Sequence, residues 1–268
     1  MLRLPAVSGT FYPTEPQALT ALIRKCVPAG SKIEKSRVRA CLVPHAGYVY
    51  SGPVAGAVYA RIAFPKRIIV LGVRHFPYGE DAAILSQGAW RTPLGDAAID
   101  SGLAEKISRL CPLLHEDEVA HESEHSLEVQ LPFLQILNSG FTFVPIALGT
   151  LDHDALSSIG NSLGQVLAEE NDVLLLTTTD LNHYEDQTTT VRKDNLAIEK
   201  IRSFDSKGLY EICRQEKISM CGLGPTGAML AALRHIGANR AELVEHTTSA
   251  NYSGDTRKVV GYAGLLFS

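Results

Sequence analysis

DVLLLTTTD, residues 172–180, is an apolar run that turns polar only towards its carboxyl end. It reads as a strand buried on both faces, the kind that parallel sheets use. Working outward, VRACLV (38–43), RIIVLG (67–72) and FTFVPIAL (141–148) have the same character, and DAAILS (81–86) is a lesser version of it. RAELVEHTTS (240–249) and RKVVGYAGLLFS (257–268) supply two further strands. Between these runs the apolar residues fall at helical spacing. GPVAGAVYARI (52–62) follows a Ser-Gly-Pro start, Asp100 to Leu110 is amphipathic, and Ser126 to Leu137 is helical with Pro132 expected to bend it. Asp152 caps a helix running to about Glu169, the polar stretch 185–218 holds two more helical patterns, and GPTGAMLAALRHIG (224–237) ends at Gly237. This alternation predicts an α/β fold: a mixed, largely parallel central sheet with helices on both faces. No linker, repeat or low-complexity tract interrupts it, so one domain is expected over residues 1–268.

Lys plus Arg total 25 and Asp plus Glu 29, for a net charge of −4, with no basic run. Nucleic-acid binding needs a dense cationic footprint, so no nucleic-acid partner is expected. The opening MLRLPAVSGTFYPTEPQ has no long apolar core of a secretory signal, and no segment reaches the ~18 apolar residues of a membrane span. The five cysteines, at 26, 41, 111, 213 and 221, form no CxxC pair. Reduced thiols in a cytoplasmic protein are the plain expectation.

In open α/β sheets, ligands bind beyond the carboxyl ends of the strands. VRACLV is followed by His45, RIIVLG by Val73-Arg74-His75, and DVLLLTTT by Asp180-Leu181-Asn182-His183. Cys221 stands in a Gly-containing segment just before a helix, where the helix dipole would favour a thiolate. A single histidine after a strand is usually only a satisfied polar residue, and a single cysteine a small buried filler. Recurrence at several strand ends shifts the weight towards a common polar site. His121-Glu122-Ser123-Glu124-His125 also matches H-E-x-x-H. Here the apolar pattern starts only at Leu127, so His121 is placed ahead of the helix. The segment is then either an exposed, charged helix start or the carrier of His125, with His121, to the strand-end site. Tyr48, Tyr50 and Trp90 would either form an aromatic groove or pack the pocket rim.

Val43-Pro44-His45-Ala46-Gly47-Tyr48, Leu71-Gly72-x-x-His75, Arg91-Thr92-Pro93-Leu94-Gly95, Glu124-His125-Ser126-Leu127-Glu128, Thr179-Asp180-Leu181-x-His183-Tyr184, Cys221-Gly222-x-x-Pro225 and Val259-Val260-Gly261-Tyr262-Ala263 occur in the order found in the Memo family, which the chain resembles from Leu4 to its end. That family in turn looks like the class III extradiol dioxygenases, non-haem Fe(II) enzymes of α/β fold. The resemblance implies metal ligands at His45, His75 and Cys221, with Asp180, His183 and His125 as acid–base and supporting groups of the same pocket. It implies Fe(II), with Zn or Cu as other choices, and association of microbial members with a radical-SAM system. Val73 and Arg74 replace the Gly-Pro-Ser or Gly-Pro-Asn of the family, and the permanent charge of Arg74 is expected to repel a metal or attract an anionic substrate. A cysteine in place of the dioxygenase carboxylate means that the fold does not by itself license ring cleavage. Three readings follow. The first is a mononuclear metal site with oxidoreductase chemistry. The second is a metal-free cysteine–histidine hydrolase or transferase. The third is a binding protein whose dioxygenase-like pocket takes a small molecule or peptide without turnover.

Overall fold

The computed structural model describes residues 1–28, 33–149 and 152–268. Its strands are β1 (Leu2–Arg3), β2 (Ala40–Val43), β3 (Arg67–Val73), β4 (Ala82–Ile84), β5 (Ala89–Thr92), β6 (Gly95–Ile99), β7 (His115–Glu116), β8 (Thr142–Leu148), β9 (Val173–Thr178), β10 (His183–Glu185), β11 (Ala241–Thr248) and β12 (Val259–Phe267). Its helices are α1 (Pro16–Cys26), α2 (Tyr48–Tyr59), α3 (Ser101–Leu110), α4 (Val119–Glu122), α5 (Leu131–Leu137), α6 (His153–Glu169), α7 (Gln187–Arg202), α8 (Ser206–Gln215), α9 (Leu223–His235) and α10 (Ala250–Ser253).

All twelve strands join one sheet, in which β6, β8, β3, β9 and β2 lie side by side and run parallel. β12, antiparallel to β2, β10 and β11, and the β5–β6 hairpin lie towards its flanks, while β4 runs antiparallel against the carboxyl half of β8. Strand side chains alternate between two cores, as the period of two demands. Leu42, Ile69, Leu71, Val144, Ile146 and Leu175 face α3, α6, α8 and α9. Cys41, Val43, Ile68, Val70, Leu174 and Leu176 face α1, α2 and α5. A fully buried leucine or isoleucine contributes about 1.5–3 kcal/mol, which is why the central strands read as nearly unbroken apolar runs. The expected α/β class and mixed sheet are what the chain adopts. Among the described residues no helix is long and apolar enough to cross a membrane.

Three local expectations need correction. Helix α2 begins at Tyr48, ahead of the expected Gly52, and Pro53 lies inside it. Pro53 cannot donate to the carbonyl of Val49, but Val49 is exposed, so solvent can take that acceptor. The stretch 126–137 is a 3-10 turn, Glu128–Gln130, followed by α5 with Pro132 in its first turn; proline therefore starts a helix and does not bend one. Tyr48 and Trp90 are buried in the core and form no groove; Tyr50 alone of the three is exposed.

Candidate metal centre

β3, β9 and β2 are neighbours in that order, so their carboxyl ends lie at one edge of the sheet. The chain leaves β2 into His45, β3 into His75 and β9 into Asp180, each two residues past its strand. Adjacent strands are about 4.8 Å apart, so His45 and His75 stand across β9 from one another, with room for an ion between their rings. Their ring centroids are 5.2 Å apart and nearly perpendicular. Helix α2 returns from β2 over one face of the sheet and α6 from β8 over the other, the arrangement in which open α/β sheets take ligands at this edge.

Cys221 enters from the segment before α9. A Cβ on Gly222 would lie 2.4 Å from the Cβ of Thr179, so only glycine lets this segment press against the end of β9. The close approach puts Cys221 Sγ 3.2 Å from His45 Nε2. One donor atom from each of His45, His75 and Cys221 lies within 4.8 Å of the others. His45 is buried, Cys221 half-buried, and His75 faces solvent, so the cluster is open on one side.

The ring orientations are set from behind. His45 Nδ1 lies 2.7 Å from Thr178 Oγ1, which also accepts from Gln130 Nε2 at 3.2 Å. Its backbone N–H donates to Asp180 Oδ1 at 2.9 Å. His75 Nδ1 lies 2.9 Å from Glu124 Oε1, and its backbone N–H donates to Glu124 Oε2 at 2.6 Å. With Nδ1 protonated on both rings, both Nε2 lone pairs are left for the open centre, as in histidine ligands backed by a carboxylate or hydroxyl. An ion with metal–sulfur and metal–nitrogen bonds of about 2.3 and 2.1 Å holds tetrahedral donors roughly 3.5 Å apart, so two imidazoles and a thiol at these spacings fit one.

The charge balance also suits a cation. Burial, then the charge of neighbouring His75, pushes His45 down to about 3. Burial, then His45, pushes His125 down to about 4. Both rings are therefore neutral near pH 7. Burial opposes ionisation of Glu124, but the hydrogen bond from His75 and the nearby His75 and His125 charges outweigh it and hold the carboxyl down at about 2. Burial drives the Cys221 thiol well above its ordinary range, and the Asp180 carboxylate beside it adds to this. The expected dipole-stabilised thiolate is thus overturned: without a cation, the sulfur keeps its proton. Burial also raises Asp180, against the hydrogen bond it accepts from His45.

The remaining expected residues divide. His125 joins the cluster, stacked on His75 with centroids 4.5 Å apart. His183 stands at the rim, its Nδ1 turned 2.9 Å from the Ser219 carbonyl. His121 is not delivered to the cluster. It is buried in α4, its Nδ1 2.8 Å from the Asp117 carbonyl and its ring on edge to Trp90. His125 lies beyond that four-residue helix, so the two histidines do not share a helix face and the zincin arrangement is absent. Nor is 121–125 an exposed helix start: Glu124 is 1% exposed. A second group, His75, Glu124 and His125, has compact spacing, but both Glu124 oxygens already accept N–H donors, so it reads as support for the first. Arg74 is paired with Asp81 and bonded to the carbonyls of Phe76 and Tyr78, which removes the expected free cation. Glu124 and Thr178, which fix the two imidazoles, had no expected role. For Thr178 the signal was its position on β9, two residues before Asp180.

A family model described as Memo-like protein matches residues 3–266. A MEMO1 family protein of Methanopyrus kandleri is 38% identical over 280 residues, covering 100% of this chain and 99% of its own length. One of Thermotoga neapolitana is 36% identical over 281 residues, covering 100% of both. Among solved structures, an uncharacterized protein of Escherichia coli K12 matches with a TM-score of 0.51 at 11% identity, over 85% of this chain and 99% of that one. That likeness is one of fold.

Proposed function

The chain belongs to the Memo family, and from that premise and the geometry of the sheet edge we propose that it is a mononuclear metal protein whose ligands are His45 Nε2, His75 Nε2 and Cys221 Sγ. The observation that carries this reading is the meeting of three donors from distant parts of the chain, within 4.8 Å of one another, with both imidazoles held from behind. Iron is favoured through the likeness of the Memo family to the non-haem Fe(II) dioxygenases, and the mixed nitrogen–sulfur set also suits Zn or Cu(I). When bound, such an ion would lower the thiol pKa and supply Lewis-acid or one-electron chemistry at the open side. The protein's own groups would act around it. Glu124 and Thr178 orient the ligand rings. Neutral His125, stacked on His75, can take a proton from a ligand entering beside it, and His183 can exchange protons with solvent at the rim. Asp180 holds the His45 backbone and, lying next to Cys221, adds negative charge that favours a cation. The expected ligand is a small molecule or an extended peptide end reaching the strand-end crevice.

Protein purified without oxygen should carry close to one metal per chain by elemental analysis, and the His45→Ala variant a small fraction of that. Equal, low metal content in both would end the proposal.

One observation favours a second reading: the 3.2 Å contact between Cys221 and His45 is the spacing of a nucleophile and its base. His45 is buried and Cys221 half-buried, however, and both are neutral, which disfavours the thiolate–imidazolium pair that such chemistry needs. Rapid single-site alkylation of Cys221, unaltered by a chelator, is the result that would favour it.

A further inference from the structure

The segment that carries Glu124 and His125 has little regular structure of its own, lying between α4 and a 3-10 turn. It is held by the amino terminus. Arg3 is 3% exposed and spreads its guanidinium over three acceptors of the 121–128 segment: Nε donates to the His121 carbonyl, Nη2 to the Glu124 carbonyl and Nη1 to Glu128 Oε2, each at 2.7 Å. The guanidinium carbon lies 4.0 Å from the ring centre of buried Trp90. Glu128, wholly buried, closes the strap from the other side. Its carboxylate accepts from Arg3, from the backbone N–H groups of Ala6 and Val7, and from the Tyr12 hydroxyl at 2.5 Å. Phe11, on the same segment, packs against His125 with ring centroids 4.9 Å apart.

We propose that Arg3 is a positioning residue for the site: the strap 3–12 fixes the 121–128 segment so that Glu124 meets His75 and His125 stacks on it. The chain of contacts is short. Arg3 bonds the carbonyl of Glu124, and the Glu124 carboxylate in turn binds both the ring and the backbone of His75. A planar guanidinium can reach three fanned acceptors at once while stacking on an indole, whereas a lysine ammonium cannot do both. The proposal rests on the metal reading for its effect on affinity. Its geometric part, the His75–Glu124 bond, stands without any metal.

The test uses the full chain with Arg3→Gln and Arg3→Lys, and Leu167→Ala as a stability control on the opposite face of the sheet. In metal-free protein, nitrogen-resolved NMR follows the His75 Nδ1 proton. In parallel, anaerobic Co(II) titration reads affinity and the sulfur-to-cobalt absorption band. Arg3→Gln should lose the His75 Nδ1 proton signal that the bond to Glu124 holds and bind Co(II) about 10–100-fold more weakly, the range seen when outer partners of ligand histidines are removed. Leu167→Ala should melt earlier while changing neither readout. Arg3→Lys should fall between and carries the test if Arg3→Gln does not fold. If wild-type protein binds no Co(II) yet Arg3→Gln still loses the His75 proton, the strap stands and the metal reading falls. An Arg3 variant that melts earlier but keeps both the proton and the affinity would show that Arg3 is purely structural and overturn the proposal.

Discussion

Cys221→Ser should weaken metal binding by at least about 100-fold while leaving the metal-free protein folded. The serine hydroxyl can keep the contacts that Sγ makes with His45 and with the Asp180 N–H, so the packing of the α9 approach survives. What is lost is the soft, deprotonable donor. Binding energies of about 10–16 kcal/mol shared among four donors put roughly 3 kcal/mol, or about 100-fold, on each one. The loss should be larger for Zn and Cu(I), which favour thiolate, than for Mn, which does not. Calorimetric or competition titration of the variant against wild type measures this ratio directly. Similar affinities in the two proteins would place the metal elsewhere or remove it from the account.

Mild acid should strip several kcal/mol from the fold, beginning well above the usual carboxylate range. Three histidines are shielded as neutral rings: burial chiefly pushes His45 down to about 3 and His121 and His125 to about 4. In the unfolded chain each protonates near 6.5. Between those values the unfolded state binds more protons, so stability is fully present above about pH 6.5 and declines as pH falls towards 4. By pH 5 each histidine can account for about 2 kcal/mol, a large share of a typical total of about 5–15 kcal/mol. The Glu124 carboxyl, held down at about 2, adds a further loss only below its unfolded value of about 4.5. Urea unfolding at pH 7 and pH 5 should show this drop, and His121→Phe, which removes one buried ring nitrogen pair beside Trp90, should reduce it. Equal stability at the two pH values would contradict the burial argument. Bound metal should steepen the same transition, because protons compete for the ligand nitrogens.

Much of the fold can be read locally because the central strands are buried on both faces and so carry unbroken apolar runs. β9 and β3 are the plainest cases. The flanking pieces are hard to read for the converse reason. β1 and β7 are two residues each, and β5 and β6 pair in a short hairpin around Pro93 and Leu94, too brief for a periodic signal. Helix α1 carries a short pattern, Pro16 at its start and Leu19, Ile23 and Cys26 buried, whose single apolar stripe is weak beside the buried strands. His45, His75 and Asp180 were legible through one rule, the position just past a buried strand, and Cys221 through its place at a glycine-flanked helix start. Glu124 was not. Its neighbours are charged, and locally it reads as surface. It is buried because Arg3, 121 residues away, ties its carbonyl, and because His75 on another strand end takes its carboxylate. Long-range polar pairing leaves no periodic trace. The pairing of Arg74 is hidden for the same reason, its partner Asp81 being brought to it only by the folded loop.

The proposed ligands are two imidazoles and one thiol at the carboxyl edge of β2, β9 and β3. X-ray absorption on protein loaded anaerobically with one equivalent of Fe(II) should show one sulfur at about 2.3 Å and nitrogen or oxygen scatterers at about 2.1 Å, with the sulfur shell lost in Cys221→Ser. A first shell of nitrogen and oxygen alone in the wild type, or a sulfur shell that survives the substitution, would contradict this ligand set.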